Sequence, residues 1–367
     1  MPWQALGFDS VKAQLEFGLT KTRLGSSSIR ILIKPNPSLG YVVRLSLAHI
    51  QPLTGFSPPV CLTTHHRRHQ QKDKVVIVMG ATGTGKSRLA IDLATQFPAE
   101  IVNCDKIQIY RGLDAVTNKV TEEECRGVPH HLLGIIDDPD VDFTVSDFTH
   151  HASLAIESIV GRGRLPIVAG GSNSFIQSLV EDDVCFKSRY AYCLIWVDVS
   201  PPVLRHFVSG RVDQMVEAGL VDEVRDLFHP DADYTRGLRR AIGVPELDKF
   251  MRSKGELEDA IDEIKANTRK LAKRQLSKIQ RLRDTRGWRL HRIDATEAFK
   301  KKGLQADMAW ERLVVGPAAV IVGRFLSNEG STVVANKVKP RGKSVISRSV
   351  PSPSSSSVVA AAAMASS

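Results

Sequence analysis

Residues 75–87 read Val75-Val76-Ile77-Val78-Met79-Gly80-Ala81-Thr82-Gly83-Thr84-Gly85-Lys86-Ser87, and the order of chemistries within them decides the fold. The apolar run up to Met79 suits a strand buried on both faces, as in a parallel sheet. The residues after it satisfy Gly-x-x-x-x-Gly-Lys-Ser, and a helix over 87–96 follows, with Leu89, Ala90 and Leu93 on one face. Strand, glycine-rich loop and helix in that order is the context in which this phosphate loop has physical meaning. Its glycines let backbone N–H groups turn inward as a nest backed by the helix N-terminus. Lys86 adds a point charge, and the Ser87 hydroxyl is a candidate Mg2+ ligand. Kinases, ATPases, GTPases and other phosphate-binding transferases share the loop, so it fixes phosphate binding without naming a reaction.

Outward from the loop, short apolar runs alternate with helical periods. Strands are expected over 99–103, 165–169 and 192–199, with a helix over 149–160 between the first two. Strands alternating with helices imply a parallel sheet covered on both faces. Beyond Pro201 the pattern turns helical. Residues 256–286 space Leu257, Ile261, Ile264 and Leu271 at helical intervals, with Lys and Arg clustered from Lys265 onward, and read as one long helix or two. The expected fold is α/β: a P-loop parallel sheet covered by helices over 73–200, with a mainly helical C-terminal half over 201–326 completing the same catalytic unit. Sites in such sheets lie at the carboxyl ends of the strands.

The chain's formal charge of +10 over 367 residues is unevenly spread. Residues 1–72 contribute +7 and residues 327–367 contribute +4, which leaves 73–326 at −1. A nearly neutral core argues against a nucleic-acid partner. No run approaches the ~18 apolar residues of a membrane helix, so no membrane partner is expected. The cysteines (Cys61, Cys104, Cys125, Cys185 and Cys193) form no C-x-x-C pair and no zinc-ligand spacing, and read as reduced thiols. Residues 1–72 are acid-poor, contain Ser26-Ser27-Ser28 and end in His65-His66-Arg67-Arg68-His69, the composition of an organelle transit peptide, and are expected to be disordered. From 327 the chain is rich in Ser and Ala without hydrophobic period, and is expected to be a disordered tail.

Asn103-Cys104-Asp105-Lys106-Ile107-Gln108-Ile109-Tyr110 follows the second strand directly. That position sets Asp105 at the carboxyl end of the sheet, where a carboxylate holds Mg2+, acts as a general base, or merely caps the following turn. Thr117-Asn118-Lys119 then supplies a second hydroxyl and a cation. Adjacent His130-His131 cannot easily share one metal and is taken as structural or substrate-orienting. Asp198, ending an apolar strand, is a second candidate Mg2+ carboxylate.

With these segments the chain resembles the isopentenyltransferase family, in which a prenyl group moves from dimethylallyl diphosphate to the exocyclic N6 of adenine. The resemblance continues through Val128-Pro129-His130-His131, Gly170-Gly171-Ser172-Asn173-Ser174-Phe175 and Trp196-Val197-Asp198-Val199. It then takes in Arg211-Val212-Asp213-x-Met215, Arg239-Arg240-Ala241-Ile242-Gly243-Val244-Pro245-Glu246 and Lys273-Arg274-Gln275-Leu276. It implies that Asp105 is the base accepting the N6 proton and that Thr117 hydrogen-bonds the same nitrogen. It also implies that Gly80, Ala81, Thr82, Gly83, Thr84, Gly85, Lys86 and Ser87 cradle the diphosphate, with Mg2+ bridging its oxygens.

Arg274 adds a further cation or is a solvated charge, and Ser172 contacts the diphosphate or serves the turn. Phe175 stands where many relatives have Tyr, so a hydroxyl near the site is absent. Gly-Gly-Ser-Asn-Ser-Phe and Arg-Arg-Ala-Ile-Gly-Val-Pro-Glu resemble the plant branch that modifies free AMP, ADP or ATP, the first step of cytokinin biosynthesis, and that resemblance implies a plastid address, with mitochondrion and cytoplasm as alternatives. The branch that modifies tRNA is the alternative acceptor class. A P-loop small-molecule kinase and a non-enzymatic nucleotide switch are the rivals outside the family.

Overall fold

A computed structural model describes residues 20–24, 27–36, 40–47, 72–253 and 255–327. Two compact units divide the chain at residue 68. In the first, strands β1 (Thr20–Leu24), β2 (Ser27–Asn36) and β3 (Gly40–Leu47) form an antiparallel sheet in that order. The expected leader over 1–72 and the expected tail from 327 otherwise fall outside the described residues.

The second unit is built on a sheet of six strands, β4 (Asp73–Gly80), β5 (Ala99–Asn103), β6 (His130–His131), β7 (Leu165–Gly170), β8 (Tyr190–Asp198) and β9 (Leu290–Asp294). Their spatial order is β6-β5-β7-β4-β8-β9, and every pairing is parallel. Its helices of eight or more residues are α1 (Lys86–Gln96), α2 (Val145–Gly161), α3 (Pro201–Glu217), α4 (Leu220–Leu227), α5 (Val244–Ser253), α6 (Leu257–Asp284), α7 (Gly303–Trp310) and α8 (Gly316–Ser327). The expected α/β fold with a helical C-terminal half is the one observed, and the stretch over 256–286 is a single helix.

Alternate residues of the central strand serve opposite faces, as the pleat requires. Val75, Ile77 and Met79 enter one core with Phe148 and Ile156 of α2 and Ile264, Ile279 and Leu282 of α6. Val76 and Val78 enter the other with Leu89 and Leu93 of α1 and Ala318 and Val322 of α8. All of these are essentially removed from water, which is why β4 carries no polar residue between Val75 and Met79.

Two features depart from the sequence reading. β9 returns from the helical half to pair with β8, its Ile293 alone buried; its polar Leu-His-Arg-Ile-Asp composition gives no apolar run to find. Helix α2 begins earlier than expected because Thr144 caps it. The Thr144 hydroxyl accepts from Asp147 N–H at 3.2 Å, while Asp147 accepts from Thr144 N–H at 2.9 Å.

Register brings the strand ends level. Met79 pairs with Gly170, and Asn103 with Ala169, so the loops starting at Gly80, Cys104 and Gly171 leave the sheet side by side.

Candidate active site

The phosphate loop is shaped by glycines that no other residue replaces. Gly83 and Gly85 have φ of +78° and +84°, the left-handed region that residues bearing a Cβ avoid. A Cβ on Gly85 would also lie 2.5 Å from the Trp310 ring, so that indole closes the outer side of the loop. A Cβ on Gly80 would lie 2.6 Å from Val197 O. Ala81 is buried and its carbonyl is the loop's internal acceptor, taking the Thr84 hydroxyl at 2.9 Å and the Lys86 ammonium at 2.7 Å. Thr84 is buried with it. Ser87 is exposed at the start of α1, and its hydroxyl has no partner among the described residues.

Across the crevice, Asp105 stands at the end of β5, as its place in the sequence implies. One carboxylate oxygen accepts from Ile107 N–H at 3.1 Å, and the other faces Gly171, 3.6 Å from where a Cβ there would be. A Cβ on Gly170 would overlap the Cys104 carbonyl, so the paired glycines let β7 pass directly against the Asp105 loop. The Ser172 hydroxyl accepts from Lys106 N–H at 2.9 Å and so fixes the same loop.

Thr117 ends the short helix Asp114–Thr117, whose first amides, Ala115 and Val116, donate to the Glu223 carboxylate at 3.0 Å each. The Gln108 side chain donates to Thr117 O at 3.1 Å and to Asn118 O at 3.0 Å, which ties the Asp105 loop to this segment. The Thr117 hydroxyl donates to Leu113 O at 2.7 Å. Its proton is committed, and its oxygen is left to accept.

Three charges share the crevice. The Lys86 ammonium is enclosed by the loop, and that loss of water lowers its pKa from 10.5 to about 8, against the field of Asp105, which raises it, and with that of Arg211, which lowers it. Burial likewise lowers Arg211, again opposed by Asp105. Two enclosed cations face one carboxylate, and the site is electropositive.

Several residues were assigned no role from sequence. Gln275, on α6, accepts from Thr82 N–H at 2.7 Å and donates to Gly171 O at 3.0 Å, bridging two strand-end loops. Its own carbonyl accepts from Asn173 at 3.2 Å. Arg211, on α3, donates to the Thr82 hydroxyl at 2.8 Å. Both lie in motifs of the family resemblance; the signal for their roles is a polar residue on an otherwise apolar helix face.

Arg274, beside Gln275, is exposed and makes no hydrogen bond or ion pair among the described residues. Asp198 is buried and receives Arg292 Nε at 2.7 Å. Among the described residues no cluster of three metal-ligating side chains occurs. His131 binds the buried Glu100 at 2.6 Å, and His130 binds Val128 O at 2.8 Å. Phe175 stacks on Phe148 at 4.6 Å within the apolar core, so a hydroxyl there would meet hydrocarbon. None of the four described cysteines forms a disulfide.

Fold and site together define a P-loop α/β protein in which the enclosed Lys86 of the phosphate loop and the Asp105 carboxylate share one crevice. The IPP transferase family model matches residues 108–188 and 181–281. Adenylate isopentenyltransferase 5, chloroplastic, of Arabidopsis thaliana is 61% identical over 269 residues, covering 70% of this chain and 82% of that one. Adenylate isopentenyltransferase 7, mitochondrial, of the same plant is 50% identical, covering 77% and 89%. The tRNA dimethylallyltransferase 2 of that plant is 34% identical, covering 71% and 82%. Among solved structures, a eukaryotic dimethylallyltransferase acting on tRNA superposes with a TM-score of 0.62 at 25% identity, covering 70% of this chain and 80% of that one. The chain belongs to the isopentenyltransferase family, and it is a prenyltransferase.

Proposed function

We propose that this enzyme transfers the dimethylallyl group of dimethylallyl diphosphate to N6 of the adenine of a free nucleotide, AMP, ADP or ATP. The observation that carries the reading is the opposition across one crevice of an enclosed cationic phosphate loop and the Asp105 carboxylate. The branch follows from relatives: those named adenylate isopentenyltransferases are 39–61% identical, three of them at 50% or more, against 34% for tRNA dimethylallyltransferase 2. The core charge of −1 over residues 73–326 also suits a small acceptor better than a polyanion.

N6 is a weak nucleophile because its lone pair is delocalised into the ring. In the proposed step N6 attacks C1 of the prenyl group and an N–C bond forms. The C1–O bond breaks, its electron pair leaves with the diphosphate, and the N6 proton passes to Asp105. Thr117 has only acceptor capacity left, so it takes a hydrogen bond from the second N6 hydrogen and turns the lone pair toward C1. Lys86 and the loop amides stabilise the charge that grows on the leaving diphosphate. For Mg2+, the donor set fits: one free hydroxyl, Ser87, suits an ion held mainly by substrate phosphates and water. Bound there, it would neutralise diphosphate charge.

We further propose import into the plastid, on the acid-poor composition of residues 1–72 and on relatives named chloroplastic at 61% and 52% identity. Fusing residues 1–72 to a fluorescent protein should label plastids; label confined to mitochondria or cytosol would overturn this.

The acceptor is tested by supplying dimethylallyl diphosphate and Mg2+ with AMP, ADP, ATP or unmodified tRNA. The expected product is N6-prenylated free nucleotide. Prenylation of tRNA alone would move the enzyme to the other branch.

A further inference from the structure

The turn that presents Thr117 is strained, and a residue of the helical half holds it. Asp114–Thr117 is a single helical turn, and the residues that bracket it, Leu113 and Asn118, have φ of +51° and +49°. Residues with a side chain rarely enter that left-handed region, and a bulky leucine there is an outlier. Such backbone persists only where its surroundings over-determine it, and it gathers at ligand sites.

Here the surroundings are specific. Both oxygens of the Glu223 carboxylate are used, one by Ala115 N–H and one by Val116 N–H, each at 3.0 Å. Among the described residues Glu223 pairs with no cation, so the turn is its whole engagement. Lys119 closes the turn by donating to Gly112 O and, at 2.7 Å, to Asp114. Val116 is buried in the same core as Leu220 and Val224, the neighbours of Glu223 on α4.

We propose that Glu223 is a positioning residue for the acceptor: it fixes the 114–117 turn, and with it the Thr117 oxygen that receives an N6 hydrogen. This rests on Thr117 as a contact of N6. The Thr117 hydroxyl donates to Leu113 O at 2.7 Å, inside the strained bracket, so the direction of its remaining lone pairs follows the turn. A carboxylate accepts at both oxygens and holds two amides by charge-assisted hydrogen bonds, whereas glutamine would set an NH2 group against one of them. Gln108 anchors Thr117 from the sheet half and Glu223 anchors it from the helical half. The acceptor side of the crevice is therefore complete only with α4 docked.

The test is a double-mutant cycle in the full-length enzyme with Glu223→Ala, Thr117→Val and the two combined, beside Glu223→Gln, with thermal melting as the check on folding. Glu223→Ala should lower kcat/KM for the nucleotide by about 10- to 100-fold, the scale of a displacement of about 1 Å at a reacting group. Glu223→Gln keeps one acceptor and should lose less. The KM for dimethylallyl diphosphate and the affinity for inorganic pyrophosphate should stay within about twofold of the wild type. The combined variant should lie within about threefold of Thr117→Val alone, since Glu223 acts through the hydroxyl already removed.

Fully additive losses, or equal losses toward donor and nucleotide, would overturn the assignment and leave Glu223 a general prop of the fold. Wild-type kinetics in Glu223→Ala would overturn it as well. Should Glu223→Ala fail to fold, Glu223→Gln takes its place in the cycle and the same outcomes decide. A wild type that prenylates tRNA and no free nucleotide would sink the proposed acceptor, and the same cycle run with tRNA would still decide Glu223.

Discussion

Gln275 Oε1 accepts the Thr82 amide at 2.7 Å, so a residue of the long helix α6 holds the loop that defines the sheet half of the molecule. Its Nε2 donates to Gly171 O at 3.0 Å, in the loop that leaves the neighbouring strand β7. The amide side chain is uniquely suited, because it must accept on one side and donate on the other.

Gln275→Ala should therefore raise the KM for the diphosphate donor by about 5- to 30-fold, the value of one or two net hydrogen bonds. Gln275→Glu should do worse, since it keeps the acceptor for Thr82 but sets a carboxylate oxygen against the Gly171 carbonyl. Steady-state kinetics on the two variants checks the order; equal behaviour would mean that the Gly171 contact is immaterial.

Asp105→Asn should lower kcat by about 10²- to 10⁴-fold, the usual worth of a positioned base, while pyrophosphate affinity changes little. Asparagine retains the shape and the acceptor oxygen that Ile107 N–H uses, so the loss isolates proton acceptance. Single-turnover rates with calorimetric pyrophosphate binding separate the two. Weakened binding with an intact rate would make Asp105 a positioning residue.

Much of this was legible in the chain because its chemistry is local. The P-loop, the strand before it and the placement of Asp105 follow from contiguous residues. Arg211 and Gln275 were not, because each matters through contacts with Thr82, which lies 129 and 193 positions away. Nor was β9, an edge strand whose exposed residues need no hydrophobic pattern. Asp198 shows the same limit: the end of an apolar strand says where a carboxylate sits, but Arg292, supplied by β9, is a partner the strand's own sequence does not announce.

Lys86 carries a pH signature. Its pKa in the free protein is about 8, and a bound diphosphate must raise it by favouring the ammonium. Affinity for pyrophosphate is therefore full below pH 8 and falls as the pH rises through that value, by at most about tenfold per unit, with a proton taken up on binding. Isothermal titration across pH 7–10 in buffers of different ionisation enthalpy checks both. Lys86→Met should bind weakly and without this dependence.

Asp198→Asn discriminates its two readings. As the partner of Arg292 it should cost only about 1 kcal/mol of stability, Arg292 being half exposed. Its kcat should then stay within about tenfold of the wild type. Loss of Mg2+ dependence or near-complete loss of kcat would restore Asp198 as a metal carboxylate.

In the proposed function the phosphate loop grips the diphosphate of the prenyl donor, and the nucleotide is the acceptor at Asp105. That arrangement is tested most directly by following every phosphate through one turnover. Dimethylallyl diphosphate labelled in its diphosphate is mixed with ATP carrying a different label in its γ-phosphate. The account predicts one labelled pyrophosphate released per prenylated nucleotide, with the triphosphate of ATP intact. Release of ADP or of γ-phosphate, without prenylation, would contradict it and make the loop a site of phosphoryl transfer.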